Sequence, residues 1–265
     1  MLRPEPLPVT GSTGPSRPFR YIETLQGDRP WGAVLDAGTG TSSLRWIASL
    51  PTERWTAVTG AEAHAVQVRD AVAAVRRPQD RIVLANWTDP ALLQGERYDT
   101  VIADYLLGAV EGFAPYFQTE LFARLRPLVG GRLYIVGLDP YVGAAPETAG
   151  GRLIWRIGRF RDACLQLAGE MTYREYPAEW VTRQLERAGY VLTAARRFGI
   201  RYRARFVDDQ IDMCLPRLGR LRDRVLAAAL RAEGEALRRA ALEYIAANDG
   251  IRHGHNYVIA AEPTG

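Results

Sequence analysis

Short apolar runs alternate along the first half of the chain with stretches whose apolar residues recur at helical spacing. The runs are typical of buried strands, and the stretches between them are typical of amphipathic helices. Strands are predicted at residues 33–35, 55–59, 81–85, 98–103 and 132–137, and helices at 42–50, 62–75 and 119–125. Strands that alternate with helices indicate βαβ units with right-handed crossovers. The pattern therefore predicts an α/β chain with a Rossmann-like, doubly wound, mostly parallel sheet.

The second half of the chain has longer predicted helices and fewer strands. Helices are predicted at residues 153–167, 178–188 and 208–247, the last interrupted at Pro216, and strands at 190–202 and 256–261. The first 20 residues hold five prolines and are expected to form an extended tail. We expect one domain over residues 21–265, in which segments 141–178 and 207–252 form helical caps.

The chain contains 34 basic residues, and every one of them is arginine. The absence of lysine excludes enzymes that need a lysine amine, such as P-loop NTPases, protein kinases and pyridoxal-phosphate enzymes. The net charge of +4 is too small to indicate a nucleic-acid partner by itself. Two distant cysteines, Cys164 and Cys214, and the lack of a signal peptide or membrane-spanning run predict a cytoplasmic protein with no membrane partner.

The first predicted strand leads into the first predicted helix through a glycine-rich turn, DAGTG, at residues 36–40. Glycines let the backbone turn sharply and approach a ligand, and the helix N-terminus that follows offers free N–H groups. A nucleotide cofactor is the usual ligand of such a turn. The dinucleotide fingerprint, however, requires a third glycine where this chain has Ser43, and a turn without a ligand is the alternative.

The DAGTG turn resembles motif one of the class I S-adenosylmethionine-dependent methyltransferases, and the resemblance extends over about residues 30–140. It implies S-adenosylmethionine as the cofactor and a seventh strand that runs antiparallel between strands five and six. In that family the acidic residue and the glycine loop hold the methionine end of the cofactor. The corresponding residues in this chain are Asp36, Gly38, Thr39, Gly40 and Ser42.

The same resemblance implies further cofactor contacts after strands two, three and four. Glu62 is the candidate for gripping the ribose hydroxyls, and its alternative role is that of a first-turn acid in the second helix. Asn86 is expected to donate a hydrogen bond to adenine and Trp87 to stack on it, with core packing as the alternative for Trp87. Asp104 lies in a stretch that resembles motif four, which stands beside the methyl group and the acceptor.

Ligands of open α/β sheets bind beyond the carboxyl ends of the strands. The residues that follow strands four and five are therefore expected to face the acceptor: Asp104, Tyr105, Asp139 and Tyr141. An in-line displacement requires an acceptor held close to the methyl group and shielded from water, and a hydroxyl or amine acceptor can also require a base. The candidate bases are Asp104, His253 and His255, in that order. Two histidines alone are too few to indicate a metal site.

Arginine and aromatic residues are interleaved at positions 196–206. Such a mixture can bind RNA through stacking and phosphate contacts. Strand-like spacing would instead place Arg201, Arg203 and Arg205 on one solvated face. A third interpretation is that Arg205 pairs with a carboxylate or phosphate on a small acceptor.

Together these patterns predict an enzyme that uses S-adenosylmethionine to methylate an oxygen or nitrogen atom of a small molecule. An RNA methyltransferase is one alternative. An aminopropyltransferase similar to spermidine synthase is another, because the stretch at 98–104 resembles that family. A non-catalytic module that binds S-adenosylmethionine is the third, because the acid after strand two is displaced from its usual place. The oligomeric state is left open.

Overall fold

The computed structural model describes residues 15–265, which form a seven-stranded sheet flanked by helices. The strands are β1 (Ala33–Asp36), β2 (Arg54–Thr59), β3 (Arg81–Leu84), β4 (Tyr98–Asp104), β5 (Val129–Leu138), β6 (Tyr190–Tyr202) and β7 (Ile251–Pro263). The helices are α1 (Arg17–Gln26), α2 (Thr41–Ser49), α3 (Glu62–Val72), α4 (Leu106–Ala109), α5 (Gln118–Leu125), α6 (Ala149–Leu167), α7 (Ala178–Arg187), α8 (Ala204–Leu218) and α9 (Arg224–Asn248). Short 3₁₀ turns follow α4 at Val110–Gly112 and α5 at Arg126–Leu128.

The strands lie in the order β3-β2-β1-β4-β5-β7-β6. Strands β1 to β5 pair in parallel, and β7 pairs antiparallel with β5. In the centre of the sheet, Val34 of β1 lies opposite Trp55 of β2 on one side and Thr100 of β4 on the other. This order and the antiparallel seventh strand confirm the predicted doubly wound fold.

Buried side chains cover both faces of the sheet, as the strictly alternating direction of strand side chains requires. Val34 and Ile102 point into the cluster that α1, α2 and α3 cover with residues such as Ile22, Ile47 and Val68. Their neighbours Leu35 and Val101 belong to the opposite cluster, which α5 and α7 cover. Continuous apolar runs such as Ala33–Leu35 are explained by burial on both faces, which is usual for parallel sheets.

The chain separates into two compact units. The sheet unit contains residues up to Asp139 together with Tyr173–Phe198 and Asn256–Gly265. The helical unit contains Pro140–Thr172 and Gly199–His255, and in it α6, α8 and α9 pack against one another. The segments predicted as helical caps, 141–178 and 207–252, fall mainly in the helical unit. Among the helices of residues 15–265, none combines the length and apolar character that crossing a lipid bilayer demands.

The expectation of an extended tail over residues 1–20 is wrong at its end, because α1 begins at Arg17. Ser16 caps this helix by accepting the N–H of Phe19, and Pro18 occupies a first-turn position that proline tolerates. The ring of Phe19 stacks on Trp46 at 4.3 Å between centroids, which fastens α1 to α2. Residues 1–14 lie outside the described part of the chain.

The expected interruption at Pro216 is also wrong, because α8 continues through it to Leu218. A proline in the last turn removes one backbone hydrogen bond and does not stop the residues before it from being helical. The break falls at residues 219–223, where the Asp223 carboxylate accepts the N–H groups of Val225 and Leu226 and starts α9.

We expect Phe19→Ala to lower the free energy of unfolding by about 3–5 kcal/mol, because it removes a buried ring from the α1–α2 stack. The measurement is urea unfolding followed by the fluorescence of the tryptophans, of which Trp46 is one. Arg20→Ala, on the exposed side of the same helix, is the control and should change stability by less than about 0.5 kcal/mol. Equal stability of the two variants would show that α1 does not pack on the sheet.

Candidate active site

The glycine-rich turn between β1 and α2 is held by backbone hydrogen bonds to both neighbouring strands. The N–H of Ala37 donates to the carbonyl of Ile102 in β4 at 2.8 Å, and the N–H of Thr39 donates to Val58 in β2 at 2.9 Å. The indole N–H of Trp87 donates to the carbonyl of Ala37 at 2.7 Å. The turn is therefore fixed from three directions before any ligand binds.

Asp36 is fully buried at the end of β1 and is tied to the start of α2 through Ser43. The Ser43 hydroxyl donates to Asp36 Oδ2 at 2.9 Å and accepts the N–H of Gly40 at 3.0 Å. Ser42, the predicted cofactor contact, is exposed instead. The sequence does not predict that Ser43 is the partner of Asp36, because Ser43 stands out there only as a departure from the dinucleotide fingerprint.

The two glycines of the turn have different structural roles. A Cβ atom at Gly38 would lie 2.8 Å from Cδ1 and 2.9 Å from Cβ of Leu106, so the missing side chain lets α4 pack against the turn. A Cβ atom at Gly40 would meet nothing within 4 Å. Gly40 therefore borders open space, whereas Gly38 is required by the packing of the protein itself.

Asp104, at the end of β4, is close enough to Asp36 for the charge of Asp36 to affect its ionisation. Burial raises the pKa of Asp36 to about 6, against the lowering effect of hydrogen bonds from Thr39, Ser43 and the Gly38 N–H. Burial and the negative charge of Asp36 raise the pKa of Asp104 to about 8. The pair therefore resists carrying two negative charges at neutral pH.

One oxygen of each carboxyl group has no hydrogen-bond partner among residues 15–265. Both atoms, Asp36 Oδ1 and Asp104 Oδ1, are shielded from solvent. A buried oxygen without a hydrogen bond lowers the stability of the folded state. A buried anion lowers it further unless a cation or a hydrogen-bond donor lies beside it. A positively charged ligand group at this point would satisfy both oxygens and lower both pKa values.

The residue that follows Asp104 has a strained backbone conformation. Tyr105 has a left-handed backbone with φ of 49°, which a residue with a bulky side chain rarely adopts. Its N–H donates to the carbonyl of Val136 in β5 at 2.9 Å. Such conformations persist only where the surroundings impose them, and they cluster at functional sites. Tyr105 lies at the predicted place after strand four.

A half-buried aromatic ring lies at the carboxyl ends of β2 and β3. A Cβ atom at Gly60, just after β2, would lie 2.6 Å from Cδ1 of Phe113, so the ring rests directly on this glycine. The Asn86 amide, just after β3, donates to the carbonyl of Phe113 at 2.8 Å and accepts the N–H of Thr88 at 3.1 Å. Sequence reasoning missed Phe113 because no strand leads to it.

Trp87 and Glu62, two further predicted cofactor contacts, occupy positions that suit the alternative roles of core packing and first-turn helix acid. Trp87 is only 5% exposed and packs in the core beside the turn, with the Arg124 guanidinium 5.6 Å from its ring. Glu62 is the exposed first residue of α3, where a carboxylate favours the helix N-terminus. A ribose contact by Glu62 stays a prediction.

Asp139 follows β5 as predicted, but its carboxylate is engaged by protein groups. It accepts Arg197 Nε at 2.7 Å and the N–H of Ala178 at 3.2 Å, which joins the end of β5 to β6 and to the start of α7. Arg197 also donates to Glu179 at 2.6 Å. These bonds give Asp139 a structural role, and contact with a substrate stays a prediction.

In the helical unit, Tyr141 is buried and its hydroxyl accepts Arg161 NH1 at 2.7 Å. A hydrogen bond joins the His253 imidazole to the Tyr141 backbone. The His253 Nε2 atom is shielded and has no partner within residues 15–265, so the bonded nitrogen is Nδ1. Burial is the main cause that lowers the pKa of His253, whereas His255 is exposed.

Four of the five arginines of the 196–206 stretch are paired with acids. The fifth, Arg196, lies over the Phe198 ring at 5.2 Å. Arg201 contacts Asp249 at 2.6 Å, and Arg203 contacts the same carboxylate.

The expectation that Arg201, Arg203 and Arg205 share one strand face is wrong, because β6 ends at Tyr202 and α8 begins at Ala204. Arg205 is exposed and lies 3.5 Å from Asp209 on its own helix.

The structure brings Asp36, Asp104 and the 38–40 turn together within the sheet unit, while Tyr141, Arg205, His253 and His255 belong to the helical unit. No three His, Cys, Asp or Glu side chains of the described chain are grouped as a metal site requires.

No protein-family model matches the chain, and its sequence matches none of the curated proteins. Solved structures share its fold. A Bacillus halodurans protein provisionally named a methyltransferase is 14% identical, with a TM-score of 0.59 over 94% of this chain and 99% of that one. A mycolic acid cyclopropane synthase crystallised with S-adenosylhomocysteine is 15% identical, with a TM-score of 0.53 over 92% of this chain and 83% of that one.

A phosphoethanolamine N-methyltransferase of Haemonchus contortus, in complex with phosphomonomethylethanolamine and S-adenosylhomocysteine, is also 15% identical. Its TM-score is 0.52, and the match covers 94% of this chain and 52% of that one. At such low identities, similarity establishes the fold. The chain has the fold of the class I methyltransferases, and the resemblance stated for its sequence is confirmed at that level.

The carboxyl pair predicts a pH dependence of stability. The folded chain holds the Asp104 proton up to about pH 8, whereas an unperturbed aspartate holds it only to 3.8. The folded state thus binds more protons in this window, and its stability should fall as pH rises from about 4 to 8. Asp104 alone contributes at most about 1.4 kcal/mol per pH unit, and Asp36, whose pKa is raised to about 6, adds to the loss between about pH 4 and 6.

Urea unfolding across this range should show Asp104→Asn gaining stability relative to the wild type as pH rises. The exposed Asp28→Asn is the control for losing one acidic side chain. A constant difference between wild type and Asp104→Asn at all pH values would contradict a raised pKa at Asp104.

Proposed function

We propose that the protein is an S-adenosylmethionine-dependent methyltransferase that transfers a methyl group to an oxygen or nitrogen atom of a small molecule by in-line displacement. The observation that carries the proposal is the pair of shielded oxygens, Asp36 Oδ1 and Asp104 Oδ1, that lack a partner beside a turn with open space at Gly40. A site of this kind suits a cationic ligand that lies along the main chain of the turn.

S-adenosylmethionine fits this requirement, since its methionine end carries an ammonium and a sulfonium group and supplies an electrophilic methyl group. Asp36, Asp104 and the 38–40 turn would hold that end, with the free N–H groups at the start of α2 near its polar atoms. A cation placed beside two buried carboxylates contributes more to the binding free energy than it would in water, because the protein interior screens the charges poorly.

The ends of β2 and β3 would receive the adenosine. Phe113, resting on Gly60, offers an aromatic surface there, and Glu62 is the acid within reach of that strand end along the chain. The Asn86 amide is engaged by Phe113 and Thr88, so contact with adenine would come mainly from the ring of Phe113.

His253 is the base that we propose for an acceptor that must lose a proton. Donation from Nδ1 to the Tyr141 carbonyl fixes the ring and leaves Nε2 as the unprotonated nitrogen of a neutral imidazole. A lowered pKa keeps the ring neutral at pH 7, which is the form that accepts a proton. Asp104 is the other candidate and, with a pKa of about 8, also exchanges protons near neutral pH.

The alternatives draw less support from the structure. Binding of RNA phosphates would require free arginines, whereas Arg197, Arg201 and Arg203 are each paired with a carboxylate. The similar structures described above include enzymes crystallised with S-adenosylhomocysteine, and none is an aminopropyltransferase. A small molecule is therefore the proposed acceptor.

We expect Gly40→Val to weaken binding of S-adenosylhomocysteine at least about 100-fold, because its side chain would enter the open space where the cofactor lies. Isothermal titration calorimetry measures the affinity, and thermal unfolding shows that the fold is kept. Gly199→Val is the matched control, since a Cβ there also meets nothing within 4 Å. Unchanged affinity in Gly40→Val would reject the site.

Methyl transfer itself is tested with cofactor labelled in its methyl group and a metabolite extract as the source of acceptor. We expect His253→Gln to lower incorporation at least about 10-fold while the affinity for S-adenosylhomocysteine stays unchanged, because His253 acts on the acceptor. The exposed His255→Gln is the control. Full activity of His253→Gln at pH 6 to 9 would exclude the histidine as the base.

A further inference from the structure

The two cysteines of the chain both lie in the helical unit, although 49 residues separate them in sequence. Cys164 is on α6 and Cys214 is on α8, two helices that pack against each other. Both side chains are completely buried. The proposed cofactor site and its residues are in the sheet unit, so this pair serves no function assigned above.

Hydrogen bonds on both sides of the pair align α6 and its C-terminal end with α8. Arg161 Nη1 donates to Gln210 Oε1 at 3.2 Å, and Arg217 Nε donates to Glu170 at 2.9 Å. Each cysteine lies between these two contacts along its own chain segment, and the two thiols shift each other's pKa. Two buried thiols held at matching levels of packed helices can form a bond once the helices bring the sulfurs to disulfide distance.

The surroundings distinguish the two sulfurs. Interaction with Cys214 lowers the pKa of Cys164, and interaction with Cys164 together with burial raises the pKa of Cys214. The guanidinium groups of Arg161 and Arg217, each one turn from a cysteine, act on Cys214 in the opposite sense. Cys164 is therefore the sulfur that more readily exists as the nucleophilic thiolate.

We propose that Cys164 and Cys214 form a reversible disulfide that links α6 to α8 when the protein meets a low-molecular-weight disulfide such as oxidised glutathione. The Cys164 thiolate attacks one glutathione sulfur, so that a mixed disulfide forms and one glutathione thiolate leaves. Cys214, after giving its proton to solvent, attacks the Cys164 sulfur and displaces the second glutathione thiolate. Two protein thiols are oxidised, and one glutathione disulfide is reduced to two thiols.

The inference is independent of the methyltransferase proposal, since both cysteines and the helices that carry them are in the helical unit. The bond would close a loop that contains α7, β6 and the start of α8, and thereby restrict motion of α6 against α8. Because both sulfurs are buried, the reaction requires α6 and α8 to open transiently. The rate depends on that opening, whereas the equilibrium depends on how well the folded helices hold the sulfurs together.

The test is the thiol–disulfide equilibrium of the full-length protein in glutathione redox buffers, in native buffer and in concentrated urea. Products are trapped by acid and alkylation, and digestion with trypsin should release peptide 162–174 linked to peptide 206–217. We expect the equilibrium constant for the link to be at least 10-fold larger in the folded protein, roughly what sulfurs held in contact gain over a flexible chain.

The matched control is the double variant Cys164→Ala/Ala163→Cys, which keeps the composition, lengthens the loop by only one residue and moves one thiol to the exposed side of α6. Its folded-state equilibrium constant should fall to the value in urea or below. An equal or smaller constant in the folded wild type, glutathione bound to single cysteines, or links between two chains would each overturn the proposal.

Discussion

Two carboxyl groups at the ends of neighbouring strands, in surroundings that satisfy only part of their hydrogen-bonding capacity, are the constraint on which the site depends. Asp36 is bound to Ser43 through one oxygen and leaves the other unsatisfied, and Asp104 likewise retains an oxygen without a partner in the described chain. A structure selected for stability alone would replace such a pair with apolar or amide groups. Their retention is understandable if a positive charge is bound between them.

The rest of the site keeps these acids in place. The turn is hydrogen-bonded to β2 and β4, and Leu106 of α4 packs on Gly38, so the backbone around Asp36 cannot relax away from Asp104. The left-handed Tyr105 has the same effect on the other side, because it directs the chain from β4 into α4. Rigidity of this kind lets a site bind charge without first reorganising.

Much of this architecture follows from local sequence. The strand–turn–helix at 33–50 was predictable because apolar runs, glycines and a helix start are all contained in eighteen consecutive residues. Ser43 was harder to predict, since which serine meets Asp36 depends on the residue at which α2 begins. Gly38 and Gly40 look equivalent in sequence, and only the position of Leu106 separates their roles.

Other features depend on contacts between distant segments and were therefore missed. Phe113 follows β4 in the chain, yet its ring lies at the end of β2, a position that sequence spacing does not predict. Helix α1 was obscured by prolines, although the spacing of Phe19 and Ile22 is helical. The paired arginines illustrate the same limit, because Asp249, the partner of Arg201 and Arg203, is 46 residues further along the chain than Arg203.

The position of β7 has a consequence for the order of assembly. This strand is the last in the chain, yet it lies between β5 and β6, and β6 reaches the sheet only through it. While the polypeptide is being synthesised, β1 to β5 can pair as they emerge from the ribosome, whereas β6 must wait for β7, its only neighbour in the sheet, with no strand partner for its backbone groups. The three arginines and the other exposed side chains of β6 suit a segment that has to stay soluble during this delay.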